Sequence, residues 1–137
     1  MFLIQFDACK RDNMGLASIG YVLFYNSTVL HKHYSIINHT IQDSNCAEYT
    51  ALINALKFAI RLRIENLYIE GDAKIVIDQV NNICNIKCER VKPLHKEVNK
   101  LKNKFKTISF EHIYRKKNIF ADSLANQALQ EFQYSNV

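Results

Sequence analysis

The sequence predicts an α/β fold, a mixed sheet with helices on both faces, and three observations carry that expectation. Three strand-like stretches open the chain, the second and third joined by the short Asn26-Ser27 connection of a hairpin. The hydrophobic period then turns helical and alternates, giving the order strand, strand, strand, helix, strand, helix, helix, strand, helix. A length of 137 residues, with 48% hydrophobic and 23% charged, suits one core, so a single domain over residues 1–137 is expected. The same composition excludes disordered, collagen-like and coiled-coil classes.

Phe2 to Cys9 is a mostly apolar strand of the kind found where both sheet faces are covered, and Asp7 is its anomaly. Lys10 to Gly15 form a turn, Leu16 to Tyr25 a second strand and Val29 to Ile37 a third. From Cys46 to Leu62, Leu52, Ala55, Leu56 and Ala59 recur at three- and four-residue steps and build one helical stripe. Asn66 to Glu70 is a fourth strand ended by Gly71, and a short helix over Ala73 to Val80 follows. Pro93 to Phe105 reads as a basic amphipathic helix, with Pro93 near its first turn, where a missing N–H costs little. Thr107 to Tyr114 alternates as a fifth strand. Asn118 is the expected cap of a last helix striped by Ala121, Leu124, Ala125, Ala128, Leu129 and Phe132.

The formal net charge is +5 and unevenly placed. Lys92, Lys96, Lys100, Lys102, Lys104 and Lys106 crowd one segment, and Arg115, Lys116 and Lys117 form a second cluster, a pattern compatible with a polyanionic partner. No apolar run approaches the ~18 residues of a membrane span, and Phe2 to Ile4, followed at once by Gln5 and Asp7, lacks the signal-peptide pattern. An intracellular protein acting away from membranes is expected. Cys9, Cys46, Cys84 and Cys88 contain no C-x-x-C pair, and Cys84 and Cys88 ahead of His95 are irregularly spaced for zinc, which favours reduced thiols.

Four carboxylates stand at the ends of apolar elements. Asp7 interrupts a strand, where aspartate is disfavoured and a lone buried carboxylate is costly. Glu48 begins the stripe of Leu52, Ala55 and Ala59; Asp72 sits at a strand-to-helix junction; Asp122 lies in the first turn of the last helix. The last three also have structural readings: Asn45 with Glu48 satisfies a capping box, Asp72 suits an N-cap, and Asp122 complements a helix dipole. Four acids brought together would raise one another's pKa values, and two divalent cations would cancel their charge. Oxygen ligands of this kind suit Mg²⁺ or Mn²⁺, and two such ions can clamp the attacking and leaving oxygens of a phosphoryl displacement.

Phe6-Asp7-Ala8-Cys9 with Asn13 and Gly15, Cys46-Ala47-Glu48-Tyr49, Ile69-Glu70-Gly71-Asp72-Ala73 and Asn118-x-x-Ala121-Asp122-x-Leu124-Ala125 resemble, in order, the motifs of the ribonuclease H family. The resemblance spans roughly residues 2 to 130 and is strongest to the plant-type and archaeal-like branch. It implies a five-stranded sheet whose first three strands are antiparallel and whose others run parallel to the first. It also implies that Asp7, Glu48, Asp72 and Asp122 are the catalytic and metal-binding acids. Asp7 would bridge two Mg²⁺ ions, Glu48 and Asp72 would complete one site, and Asp122 would serve the other. The implied activity is endonucleolytic hydrolysis of the RNA strand of an RNA/DNA hybrid, leaving a 5′-phosphate and a 3′-hydroxyl, by a monomeric enzyme. Asn13 and Asn45 match the family's contacts to the 2′-hydroxyl, and Lys100 and Lys104 are expected to meet substrate phosphates.

Three neighbours depart from the family pattern: Ala8 stands for a glycine, Met14 for a proline and Ala73 for a serine. Tyr114 to Asn118 is too short for the histidine-bearing loop of the bacterial type, and His112 lies on a strand. A related nuclease acting on structured DNA, or a non-catalytic nucleic-acid-binding module, remains as an alternative function.

Overall fold

Phe2–Arg11 (β1) buries Ile4, Phe6 and Asp7, and a strand covered this thoroughly belongs at the centre of a sheet. The computed structural model places it there, describing residues 1–11, 15–37 and 43–135, with side chains through Gln133. Leu16–Tyr25 (β2) and Thr28–Ile37 (β3) join β1 on one side, Asn66–Gly71 (β4) and Thr107–His112 (β5) on the other, in the order β3-β2-β1-β4-β5. The β1–β2 and β2–β3 pairs are antiparallel; β4 runs parallel to β1 and β5 parallel to β4. This is the five-stranded arrangement that the family resemblance implies. Asn26 and Ser27 both have positive φ, 48° and 71°, as a two-residue hairpin turn requires.

Ser44–Arg61 (α1) and Ile119–Ser135 (α4) lie on opposite faces of the sheet. Ile19, Tyr21 and Leu23 of β2 share one core with Leu52, Ala55, Leu56 and Ala59 of α1. The intervening residues face α4: the Ser18 hydroxyl donates to the Ala125 carbonyl, and Gly20 touches the α4 backbone. Period two in β2 thus directs its two faces to two helices. Lys74–Val80 (α2) and Lys92–Lys102 (α3) lie on the α1 side, where Tyr49 Oη donates to Gln79 Oε1 at 2.8 Å and Lys102 Nζ to the Val80 carbonyl at 3.1 Å.

Several boundaries differ from the sequence expectation, each through a long-range partner. β1 continues through Lys10 to Arg11 because the β2 ladder continues to Arg11 and Leu16. β5 ends at His112, where its partner β4 ends at Gly71. α3 stops at Lys102, and Phe105, expected in the helix, turns into the core at 8% exposure. Lys104 therefore lies beyond α3. Arg115–Lys117 form a single 3-10 turn where the sequence shows only a short connection. The α4 stripe is buried from Ala121 to Leu129, but Phe132 is 37% exposed. All four cysteines are free thiols, and among the described residues no helix is long and apolar enough to cross a membrane.

Candidate active site

The β1–β4 ladder closes at Phe6 opposite Gly71, so the next residues, Asp7 and Asp72, sit side by side where two parallel strands part. Crevices at the carboxyl ends of such strands are the usual ligand sites of α/β sheets. Gly71 is required at that junction, since a Cβ on it would lie 2.6 Å from the Phe6 ring. From the α1 face, the second turn of α1, one turn further in than the first-turn position the sequence suggests, brings in Glu48.

One carboxylate oxygen from each of Asp7, Glu48 and Asp72 lies within 4.8 Å of the others, a group able to hold a metal ion. Asp7 is 4% exposed and Glu48 9%. The Ala8 amide donates to both, to Asp7 Oδ1 at 2.9 Å and to Glu48 Oε1 at 3.2 Å. Glu48 Oε2 is buried without a hydrogen-bond partner. Burial, and then the neighbouring Asp72 charge, push the Asp7 carboxyl up to about 7. Burial and the charge of Asp7 likewise hold Glu48 well above the usual carboxylate range. The ion pairs among the described residues, Lys74–Asp78, Lys92–Glu89 and Arg115–Asp122, include none of these three acids. An orphaned buried oxygen and three oxygen donors without a protein cation fit a hard divalent ion.

Asp122 lies at the start of α4, near Asp7 but outside the three-acid group. Its Oδ1 accepts from Arg115 Nη2 at 3.5 Å and Asn126 Nδ2 at 3.3 Å. Asn126 Oδ1 in turn accepts from Arg11 Nη2 at 3.2 Å, linking Asp122 to the far end of β1.

The side-chain capping expectations fail here, although Asn118 does occupy the position immediately before α4. The N-cap of α1 is Asp43, whose side chain accepts from the Asn45 amide at 2.7 Å, so Asn45 lies inside the helix and Glu48 points to Ala8. The residue before α2 is Ala73, with no side-chain cap, which leaves the Asp72 carboxylate to the crevice. Asn118, expected to cap α4, is fully buried; its Nδ2 donates to the Phe6 carbonyl at 2.9 Å and to Asp72 Oδ2 at 3.2 Å. Its own carbonyl accepts from the Asp122 amide. Asn118 therefore ties together the strand carrying Asp7, the Asp72 side chain and the turn carrying Asp122. Nothing local in the sequence signals this, because an asparagine before a helix reads first as a cap.

Of the residues expected to touch substrate, Asn13 lies outside the described residues. Asn45 is half-buried in the first turn of α1, three residues before Glu48, and its side chain bonds nothing among the described residues. Lys100 is exposed on α3, and Lys104 is exposed in the turn after it.

The model of the reverse transcriptase-like family matches residues 5–128. The bifunctional protein Rv2228c of Mycobacterium tuberculosis is 31% identical over 129 residues, 93% of this chain and 35% of the relative, so the chain spans about a third of that protein's length. The solved N-terminal RNase H domain of the same protein has a TM-score of 0.88 at 30% identity, covering 99% of this chain and 98% of the domain structure. RNase H1 from the halophilic archaeon Halobacterium salinarum has a TM-score of 0.89 at 28% identity, covering 95% and 98%. LC11-RNase H1, isolated from compost by a metagenomic approach and solved in complex with an RNA/DNA hybrid, has a TM-score of 0.86 at 27% identity, covering 97% and 99%.

Proposed function

Since the chain belongs to the ribonuclease H family, we propose that it is an endoribonuclease hydrolysing the RNA strand of RNA/DNA hybrids to 5′-phosphate and 3′-hydroxyl ends. The observation that carries this reading is the group formed by Asp7, Glu48 and Asp72, buried in part and, among the described residues, without a pairing cation. Asp7, Glu48 and Asp72 would hold one Mg²⁺, and Asp7 with Asp122 a second, Mn²⁺ serving in place of either. When bound, the ions supply the Lewis acidity that activates water and stabilises the leaving oxygen.

The chain's own residues prepare the site. Asn118 and the Ala8 amide orient the carboxylates before any ion arrives, so little reorganisation remains at the moment of reaction. Asn45, one turn before Glu48, would offer its amide to a 2′-hydroxyl, the group that separates RNA from DNA. Asn13 would serve the same strand. Exposed Lys100 of α3, and Lys104 in the turn before β5, would take phosphates further along the duplex, positioning it without reacting. The reading treats residues 1–137 as one ribonuclease H-like domain, intracellular and monomeric.

The test is a cleavage panel of labelled RNA/DNA hybrid, double-stranded RNA, double-stranded DNA and a four-way junction, with Mg²⁺, Mn²⁺, Ca²⁺ or EDTA. Hybrid cleavage with Mg²⁺ or Mn²⁺, poor cleavage with Ca²⁺ and none in EDTA are expected. Preferred junction cleavage would identify a structured-DNA nuclease. Binding without cleavage in any metal would identify a non-catalytic module.

A further inference from the structure

The connection between β5 and α4 gathers positive charge that, among the described residues, is largely uncompensated. Tyr114 is 69% exposed, and Arg115, Lys116 and Lys117 follow it in one turn, all exposed. Arg115 reaches Asp122 at 3.5 Å, whereas Lys116 and Lys117 pair with no acid among the described residues. Adjacent cations without counter-ions create a local potential that attracts a polyanion.

The turn is anchored beside the acids. The Ile113 amide donates to the Gly71 carbonyl at 2.9 Å, one residue before Asp72. The Asn118 amide closes the turn on the Arg115 carbonyl at 2.9 Å, and Asn118 is the buried joint described above. Tyr114 meets His112 edge to face, with centroids 5.6 Å apart, which restrains its ring. The position is also distinctive. Lys96 and Lys100 of α3 lie on the α1 side of the sheet, while this turn adjoins α4 on the opposite side, so the two basic clusters stand on different faces.

We propose that Tyr114, Lys116 and Lys117 form a docking surface for phosphates of the strand being cut, on the side of the acids away from α3. The proposal rests on the reading of the chain as a hybrid-cleaving enzyme. The choice of strand follows from proximity. A phosphate seated among the acids has neighbours on its own strand, one for each ~3.4 Å of axis, whereas the complementary strand lies across a groove. A turn whose Arg115 touches Asp122 therefore meets the same strand first. Lysine ammonium groups and a tyrosine hydroxyl are suitable phosphate donors, and such contacts fix register without reading sequence.

The test is equilibrium binding of a fluorescently labelled RNA/DNA hybrid, followed by anisotropy without divalent metal from 50 to 200 mM salt. Lys116→Glu/Lys117→Glu should bind roughly tenfold or more weakly at low salt. Its logarithmic salt slope should be shallower by about 1.5, since each lost phosphate contact removes ~0.7 to 0.9. Tyr114→Ala should weaken binding without changing the slope. Neutral methylphosphonate linkages flanking the cut in the RNA strand should weaken wild type but add little to the double variant. The same linkages in the DNA strand should weaken both proteins equally. An unchanged salt slope, or coupling to the DNA strand instead, would overturn the docking surface, and an unweakened Tyr114→Ala would remove Tyr114 from it. Failure of the wild-type protein to bind a hybrid, or to cut one with Mg²⁺, would remove the functional reading itself and this surface with it. Wild-type hybrid binding and Mg²⁺-dependent cutting, together with a double variant that binds like wild type, would leave that reading standing and remove only the surface.

Discussion

Asp7 stands directly opposite Gly20 in the antiparallel β1–β2 ladder, and Gly20 is the point where α4 meets the sheet. A Cβ on Gly20 would lie 2.7 Å from both the Ala121 carbonyl oxygen and the Ala125 amide nitrogen, and 2.8 Å from Leu124 Cβ. The missing side chain thus sets how near Asp122, the residue after Ala121, comes to Asp7.

Gly20→Ala should therefore displace α4, because the obstructing atoms are backbone and cannot rotate away. Overpacking of this kind costs ~1 to 3 kcal/mol. Hybrid cleavage should fall by about 100-fold, as expected when a ligand moves by about an ångström. Circular-dichroism melting and single-turnover kinetics check the two effects, and wild-type activity in a destabilised variant would show that α4 placement does not govern the site.

Asp7→Asn should abolish turnover while raising the stability of the metal-free protein at neutral and alkaline pH. The Asp7 carboxyl titrates near 7 in the fold against 3.8 for the ordinary value, so the folded state binds the extra proton between those limits. Its contribution is fully present below about pH 4 and is lost as pH rises through about 7. Melting of the metal-free wild type should accordingly fall by roughly 5 to 10 °C between pH 5 and pH 8, less so for Asp7→Asn. Added Mg²⁺ should restore most of the wild-type loss, since an ion that binds only the folded state stabilises it. Parallel melting curves for the two proteins would expose an error in the role given to Asp7.

Asn118→Ala removes the donor shared by the Phe6 carbonyl and Asp72 Oδ2. Leaving a buried carbonyl unpaired costs ~1 to 3 kcal/mol. Residues that orient metal ligands commonly change metal affinity by ~10- to 100-fold, so calorimetric Mg²⁺ binding should weaken within that range. A variant that loses stability yet binds metal with wild-type affinity would reduce Asn118 to a packing residue.

His112 ends β5, half-buried and in contact with Tyr114, rather than on a mobile loop over the acids. A general acid or base contributes ~10²- to 10⁴-fold, so His112→Ala should cost less than roughly 100-fold in kcat. A larger loss, together with disappearance of an inflection from the pH profile, would make His112 a proton shuttle.

Much of the architecture was legible because periodicity is local. The stripe of Leu52, Ala55, Leu56 and Ala59 reports a buried face within a few turns of chain, and the structure buries those residues as expected. Asp7 was conspicuous for the same reason, a carboxylate in an apolar strand. Element ends were less legible: His112 is the last residue of β5 only because Gly71 is the last of β4.

The sequence by itself determined the element order, the apolar faces and which acids lie where those faces end, since side-chain chemistry and spacing carry that information along the chain. Only the tertiary structure decided that Asp7, Glu48 and Asp72 converge while Asp122, close to Asp7, is also engaged by Arg115 and Asn126. It also decided that Asn118 is a joint between acids, and that Gly20 is the point where α4 meets the sheet. These outcomes depend on pairings more than a hundred residues apart, such as Asn118 with Phe6, whose geometry comes from strand register and helix docking. No local propensity encodes a distance between two segments that meet only when the sheet is assembled.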